Sequence, residues 1–301
     1  MGPKARCVLL ATAIACEGAL LRPHVARAFV PPNVRASRPH GEMIYVPATQ
    51  FAFAREAVWK SGSSSSGSDP AGYPAQLGAF YIDRLEVSAA QYKACVVAGP
   101  CAALTMGDTF TATQTPVCTY EKLGFEQHPI NCVSHDEAET YCRWVGKRLP
   151  LEPEFELAER GPGGRPFPWG DADPGPKLVN ACDDRCAREG ASMGSFSSMY
   201  ESTGGGDDGW AFTAPVGSYP DGASPYGVLD LAGNVEEWVA DPYFEIAGPY
   251  VLPTASPGGE YVIRGGSWDL NTGDALSGVR RTDGSADTRA AWLGFRCARD
   301  G

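Results

Sequence analysis

From Gly161 to about Gly259 the chain carries almost no hydrophobic periodicity, neither the 3.6-residue kind that marks a helix nor the two-residue kind that marks a half-buried strand. Gly204-Gly205-Gly206, Pro215, Pro220, Pro225, Pro242, Pro249, Pro253 and Pro257 punctuate the stretch, so its backbone is expected to be largely irregular. Backbone outside helices and ladders has to be ordered by something else, and covalent cross-links and bound cations are the usual agents. Brief strands are expected only beyond it, at Tyr261–Arg264 and Leu293–Arg296. With 36 Gly and 25 Pro in 301 residues, a long all-helical protein is excluded, and one loop-rich domain is expected where length alone would allow two.

The preceding half carries conventional signals. Glu42–Pro47 and Phe80–Asp83 read as short strands, and Ser61–Asp69 as a flexible surface loop. Ser88 is placed to cap a helix through Ala98, stopped by Gly99-Pro100. Ser134 with Glu137 three residues on makes a capping box, followed by an apolar stripe of Ala138, Tyr141, Cys142 and Val145 that ends at Gly146. A third helix is expected from near Pro153 to about Arg160.

Eight of the ten cysteines fall between positions 95 and 297, an even number that points to an oxidising compartment. Lys4 and Arg6 precede an apolar run, Cys7–Cys16, of signal-peptide length, and no later segment has the roughly 20 apolar residues of a spanning helix. Two processing sites compete. Ala13-Ile14-Ala15 before Cys16 resembles a lipobox and would make Cys16 a lipid anchor, whereas Ala26-Arg27-Ala28 before Phe29 has the small-x-small form of ordinary cleavage. Residues 1–28 are read as an export leader, 29–41 as a linker and 42–300 as the domain. This makes the protein secreted, periplasmic or lipid-anchored; Arg35 and Arg38 in an acid-free stretch leave organelle targeting in an alga as the alternative. Six of the 25 Lys and Arg residues but one of the 36 acids lie in residues 1–40, so the net charge of -11 understates the acidity of the body. An acidic body disfavours nucleic acid as a partner, because phosphate contacts need a dense basic face.

Seven short motifs follow in order: Phe80 to Val87 (FYIDRLEV), His128 to Asn131 (HPIN), Tyr141 to Pro150 (YCRWVGKRLP), Phe167 to Asp171 (FPWGD), Gly233 to Trp238 (GNVEEW), Arg264 to Trp268 (RGGSW) and Leu293 to Cys297 (LGFRC). In this register the chain, over about residues 42–300, resembles the sulfatase-modifying-factor family of formylglycine-generating-enzyme-like domains. The resemblance implies an α+β fold: a single compact domain with little regular secondary structure, a variant of the C-type lectin fold.

It also implies chemistry. The family's oxidase binds copper(I) through two cysteines shortly after the Gly-Gly-Ser turn, since soft thiolates select that ion. The matching positions are Leu270 and Ala275, so no copper and no copper-dependent oxidation are expected. Ser267 persists, whereas Glu236 stands where the family has Trp and Trp292 where it has Asn. The family's two structural calcium ions map onto Asn180, Ala181 (carbonyl), Asp208 and Trp210 (carbonyl), and onto Asp230, Gly233 (carbonyl), Val235 (carbonyl) and Glu237. These are hard oxygen donors of the kind calcium takes. The family pattern pairs Cys142 with Cys297, a bridge worth up to roughly 4 to 5 kcal/mol in the chain-entropy model. Local spacing suggests Cys95 with Cys101, Cys118 with Cys132, and Cys182 with Cys186; a zinc site on the last pair is the alternative, though no second close pair completes it.

The common hydrolase and nucleotide signatures are absent. Glu236 and Glu237 could form a general acid and base pair. In this fold the segment after the Gly-Gly-Ser-Trp turn presents ligands, and here it offers Ser267, Trp268, Asp269, Asn271, Asp274, Arg280, Arg281, Asp287, Arg289 and Trp292. Indoles with Arg and Asp suit stacking and bidentate recognition of a peptide, a glycan or a small polar ligand. The competing reading makes the two Trp core and the charges ordinary pairs. A calcium-stabilised, non-catalytic binding domain is thus expected. The alternative is an enzyme of the family making an oxidative protein or cofactor modification by a cysteine-independent route.

Overall fold

Capping explains where the first helices start. The computed structural model describes residues 41–54, 72–104, 117–192, 206–244, 249–251, 259–270, 273 and 276–301. The leader, the loop at 61–69, Asn271, Asp274 and Ala275 lie outside them. Helix α1 (Ala89–Ala98) opens with Ser88 Oγ accepting from Gln91 N at 3.3 Å while Gln91 Oε1 accepts from Ser88 N at 2.8 Å. Helix α2 (His135–Trp144) repeats the device with Ser134 and Glu137. Helix α3 (Glu152–Arg160) has Pro153 in its first turn, and Glu154 accepts from Leu151 N. Helix α4 (Asp184–Ser192) lies in the stretch expected to be irregular. Asp183 nucleates it, its Oδ1 accepting from Arg185 N and Cys186 N.

The strands among the described residues form three sheets. In the first, β1 (Met43–Val46) and β9 (Ala298–Asp300) flank β4 (Phe80–Asp83), all antiparallel. In the second, β2 (Thr49–Phe53) pairs with β3 (Tyr73–Leu77). The third has the order β7 (Thr282–Ser285), β6 (Glu260–Arg264), β5 (Glu236–Pro242), β8 (Leu293–Gly294), with β8 parallel to β5. Strand β5 is buried on both faces along most of its length, so its sequence shows no alternation to betray it.

Two apolar clusters hold these parts together. One joins α1 and α2 to the four-stranded sheet through Tyr92, Tyr141, Trp238 and Phe295, and the other packs α3 through Phe155 and Leu157 against Phe53, Phe80, Leu231 and Val262. Four disulfides join Cys95 to Cys101, Cys118 to Cys132, Cys142 to Cys297 and Cys182 to Cys186. Residues 37–301 form one compact unit.

Candidate functional site

Strand alternation determines what the adjacent acids Glu236 and Glu237 can do. Successive side chains of β5 point to opposite faces. Glu237 goes inward to Arg296, which donates through Nε at 2.8 Å and Nη2 at 2.6 Å, while Glu236 contacts Arg280 and accepts from Thr282 Oγ1. The two are therefore members of separate sites, and an acid and base pair made of both is not formed.

On the Glu237 side, Asp230 and Asn234 both hold left-handed backbone, φ 56° and 60°, around the Gly233 turn. A Cβ on Gly233 would come within 2.3 Å of the Asn180 carbonyl, so this close approach requires glycine. Asn234 N donates to that same carbonyl at 2.9 Å. Glu86, given no role by sequence reasoning although it lies within the first motif, completes the set. Its Oε2 accepts from Asn234 Nδ2 at 2.7 Å and its Oε1 from Val235 N. Glu86, Asp230 and Glu237 are all buried, and burial pushes all three carboxyls up; at Glu86 the charges of Asp230 and Glu237 add to the rise. Arg296 is the one cation that bonds to this group among the described residues. Three buried carboxyls facing one guanidinium offer more hard oxygen donors than one cation can satisfy, which fits a divalent ion such as calcium, whose charge would favour their ionised forms, at Asp230, Glu237 and the Gly233 and Val235 carbonyls.

The first mapped set converges in the same way. Asp208 accepts from Trp210 N at 2.9 Å and from Ala181 N at 3.1 Å, and Asn180 Nδ2 donates to Phe212 O and Asn234 Oδ1. Asp183 and Asp207 bring carboxylate oxygens within 4.8 Å of those of Asp208. Burial, with the nearby charge of Asp183, pushes Asp208 up to about 7. Four oxygen-bearing residues with this crowded charge also fit calcium. A pH dependence follows for metal-stripped protein. Because the folded state holds the Asp208 proton more tightly than the unfolded chain, stability is greatest at low pH and is lost as pH rises through about 7. Chelator-treated protein should melt higher at pH 5.5 than at pH 7.5 by this contribution, and millimolar calcium should narrow the difference. Differential scanning calorimetry at both pH values checks it; a gap that calcium leaves intact counts against the site.

The Glu236 side faces the Gly-Gly-Ser turn. Ser267 Oγ donates to Asp269 Oδ1, so this serine has a carboxylate partner two residues on, a spacing that could have revealed the pair. Burial pushes Asp269 up to about 6 against the hydrogen bond from Ser267, with the Glu236 charge adding to the rise, and burial also raises Glu236. Leu270, at one position where the family has cysteine, packs beside Phe167, Val179 and Leu276, and its carbonyl accepts from Cys182 N at 2.8 Å. The second such position, Ala275, is outside the described residues. What converges here is two carboxyls of raised pKa, a hydroxyl and the half-buried Arg280: a polar site suited to holding a small polar group and moving a proton.

The other residues expected to present ligand are largely engaged. Trp268, 2% exposed, donates through Nε1 to Ala291 O and meets Phe212 edge-on. Trp292 packs partly buried against the core. Arg281 is bound to Glu152 and Arg289 to Glu137, each through two nitrogens. A cavity of about 500 Å³ lies elsewhere, lined by Asp83, Glu86, Gln91, Tyr141 and Lys147 among others, with none of Ser267, Glu236 or Asp269.

A family model described as the sulfatase-modifying factor enzyme 1-like domain matches residues 29–301. The formylglycine-generating enzyme of Streptomyces coelicolor is 36% identical over 185 residues, covering 59% of this chain and 54% of that protein. The inactive C-alpha-formylglycine-generating enzyme 2 of Bos taurus is 33% identical over 184 residues, covering 59% and 51%. The chain thus spans about half the length of these curated relatives. Among solved structures, PvdO from Pseudomonas aeruginosa superposes with a TM-score of 0.65 at 25% identity, covering 88% of this chain and 96% of PvdO.

Proposed function

Because the chain belongs to the sulfatase-modifying factor enzyme 1-like domain family, we propose that it acts without copper-dependent formation of formylglycine, as a calcium-stabilised domain that binds a small polar ligand between Arg280, Glu236 and the Ser267–Asp269 pair. The observation that carries this reading is the pairing of Arg280 with a buried Glu236 beside Asp269, in a site where Leu270 replaces a thiolate. Carboxylates and a guanidinium recognise ammonium, hydroxyl and carboxylate groups through charge-assisted hydrogen bonds. Four disulfides support an oxidising setting reached by export, and among the described residues no helix is long and apolar enough to cross a membrane.

One observation favours a second reading, an enzyme of the family working by a cysteine-independent route: Asp269, pushed up to about 6, is poised to exchange a proton near neutral pH. One assay tests what the two readings share and a second separates them. Incubation with copper(I) and a Cys-x-Pro-x-Arg peptide should yield no formylglycine by mass spectrometry, and its formation would overturn both. An array of short peptides, glycans and amino-acid derivatives should give hits that Glu236→Gln and Arg280→Gln each weaken at least about tenfold, the loss of one charge-assisted bond. A hit that returns chemically changed, with turnover lost in Glu236→Gln, selects the enzyme.

A further inference from the structure

His135 begins α2 with its ring immobilised. Tyr261 stacks on it with centroids 3.7 Å apart, and Trp238 meets it edge-on at 5.5 Å. Ring nitrogen Nε2 lies 3.1 Å from the Val239 carbonyl, in the part of β5 where the register with β6 shifts. A carbonyl only accepts, so in the neutral ring Nε2 carries the hydrogen and Nδ1 is left with a bare lone pair. That Nδ1 is buried and has no hydrogen-bond partner, in a residue only 3% exposed. Its lone pair points out in the ring plane, away from the stacking contact on the ring face.

Two carboxylates of the same helix lie within reach. Asp136 Oδ1 is 3.9 Å from Nδ1, and one oxygen of Glu139, four residues on and so on the same helix face, lies with both inside a 4.8 Å cluster. We propose that His135 Nδ1, Asp136 and Glu139 form a site for a divalent transition metal of the zinc class. Ligand atoms about 2.1 Å from a tetrahedral zinc stand about 3.4 Å apart, so a small rotation of the exposed Asp136 side chain closes the set. An imidazole nitrogen with two carboxylates suits zinc better than calcium, which takes oxygen alone. The hydrogen bond from Nε2 to a backbone carbonyl is the support that metal-bound histidines use to fix their tautomer. Water completes the coordination on the open side, where Asp136 is exposed.

Three opposing features bound the affinity. The positive end of the helix dipole lies nearby, Arg143 already pairs with Glu139, and Arg289 sits on the neighbouring Glu137.

The test is a zinc titration of the full chain against a chelating indicator at pH 7.5, in excess calcium to fill the oxygen sites. Asp136→Asn/Glu139→Gln changes exposed or half-buried side chains and leaves the His135 packing intact; it should weaken zinc at least about tenfold. Arg143→Gln frees Glu139 and should tighten it. X-ray absorption of the loaded protein should show an imidazole shell that is lost in the double variant. Absence of zinc uptake, unchanged affinity in the double variant, or a metal shell without imidazole would each overturn the site.

Discussion

Replacing Arg296 with methionine is expected to cost about 3 to 5 kcal/mol, a large share of the stability of an ordinary domain. The guanidinium is fully buried, donates to both oxygens of Glu237, and reaches the Leu229 and Asp230 carbonyls at 2.9 and 3.0 Å. Methionine keeps much of the apolar stem but leaves Glu86, Asp230 and Glu237 facing one another without that charge. Breaking one side of a buried ion network strands its partners, and this cost exceeds whatever the intact network contributes. Urea denaturation in calcium and in chelator measures it. Calcium should recover part of the loss, because the ion addresses the same excess charge. A loss under about 1 kcal/mol would show that the carboxyls are protonated in the folded state and need no counter-charge. Arg281→Met is the contrasting control, since its partner Glu152 is also bound by Arg264 and would keep a cation.

Removing the bridge between Cys142 and Cys297 with alanine at both positions should cost about 5 kcal/mol, against about 2 kcal/mol for the pair Cys95 and Cys101. The first closes a loop with a sequence separation of 155 and the second one of 6, so the unfolded chain regains far more freedom in the first case. Both members of the long bridge are fully buried, which adds a packing loss. Thermal unfolding of the two double variants should rank them in that order; equal losses would mean that strain or residual structure in the unfolded chain, rather than loop closure, sets the stabilisation.

The parts legible in the sequence are those whose cause is local. Ser88 and Ser134 announce α1 and α2 because a capping box needs only residues three apart. Strand β5 was illegible for the opposite reason. Its acids look like surface, and the cations that let them be buried lie 44 and 59 positions away, at Arg280 and Arg296. The same blindness affected the ligand segment. Read alone, Arg281 and Arg289 are free recognition groups; in the fold they are held by Glu152 and Glu137, 129 and 152 positions distant. Helix α4 hid in a polar run because its start depends on one Asp183 carboxylate. Glu86 stood in plain sight within a motif, but nothing local showed that it faces Asp230 and Glu237.

The sheet built from β1, β4 and β9 has a consequence for biosynthesis. Its central strand is made early, yet its last partner is residues 298–300, and the backbone of Asp83 donates to the Cys297 carbonyl. A ribosome or a translocation channel releases that partner only after residues 84–297 have emerged. Until then one edge of β4 stays unpaired and Cys142 lacks its mate, so the nascent chain passes through a stage with an open strand edge and a free thiol. The sheet and the Cys142–Cys297 bridge can therefore close only once residues 297–300 have emerged, and a chaperone or thiol oxidoreductase acting before then meets an open strand edge and a free thiol.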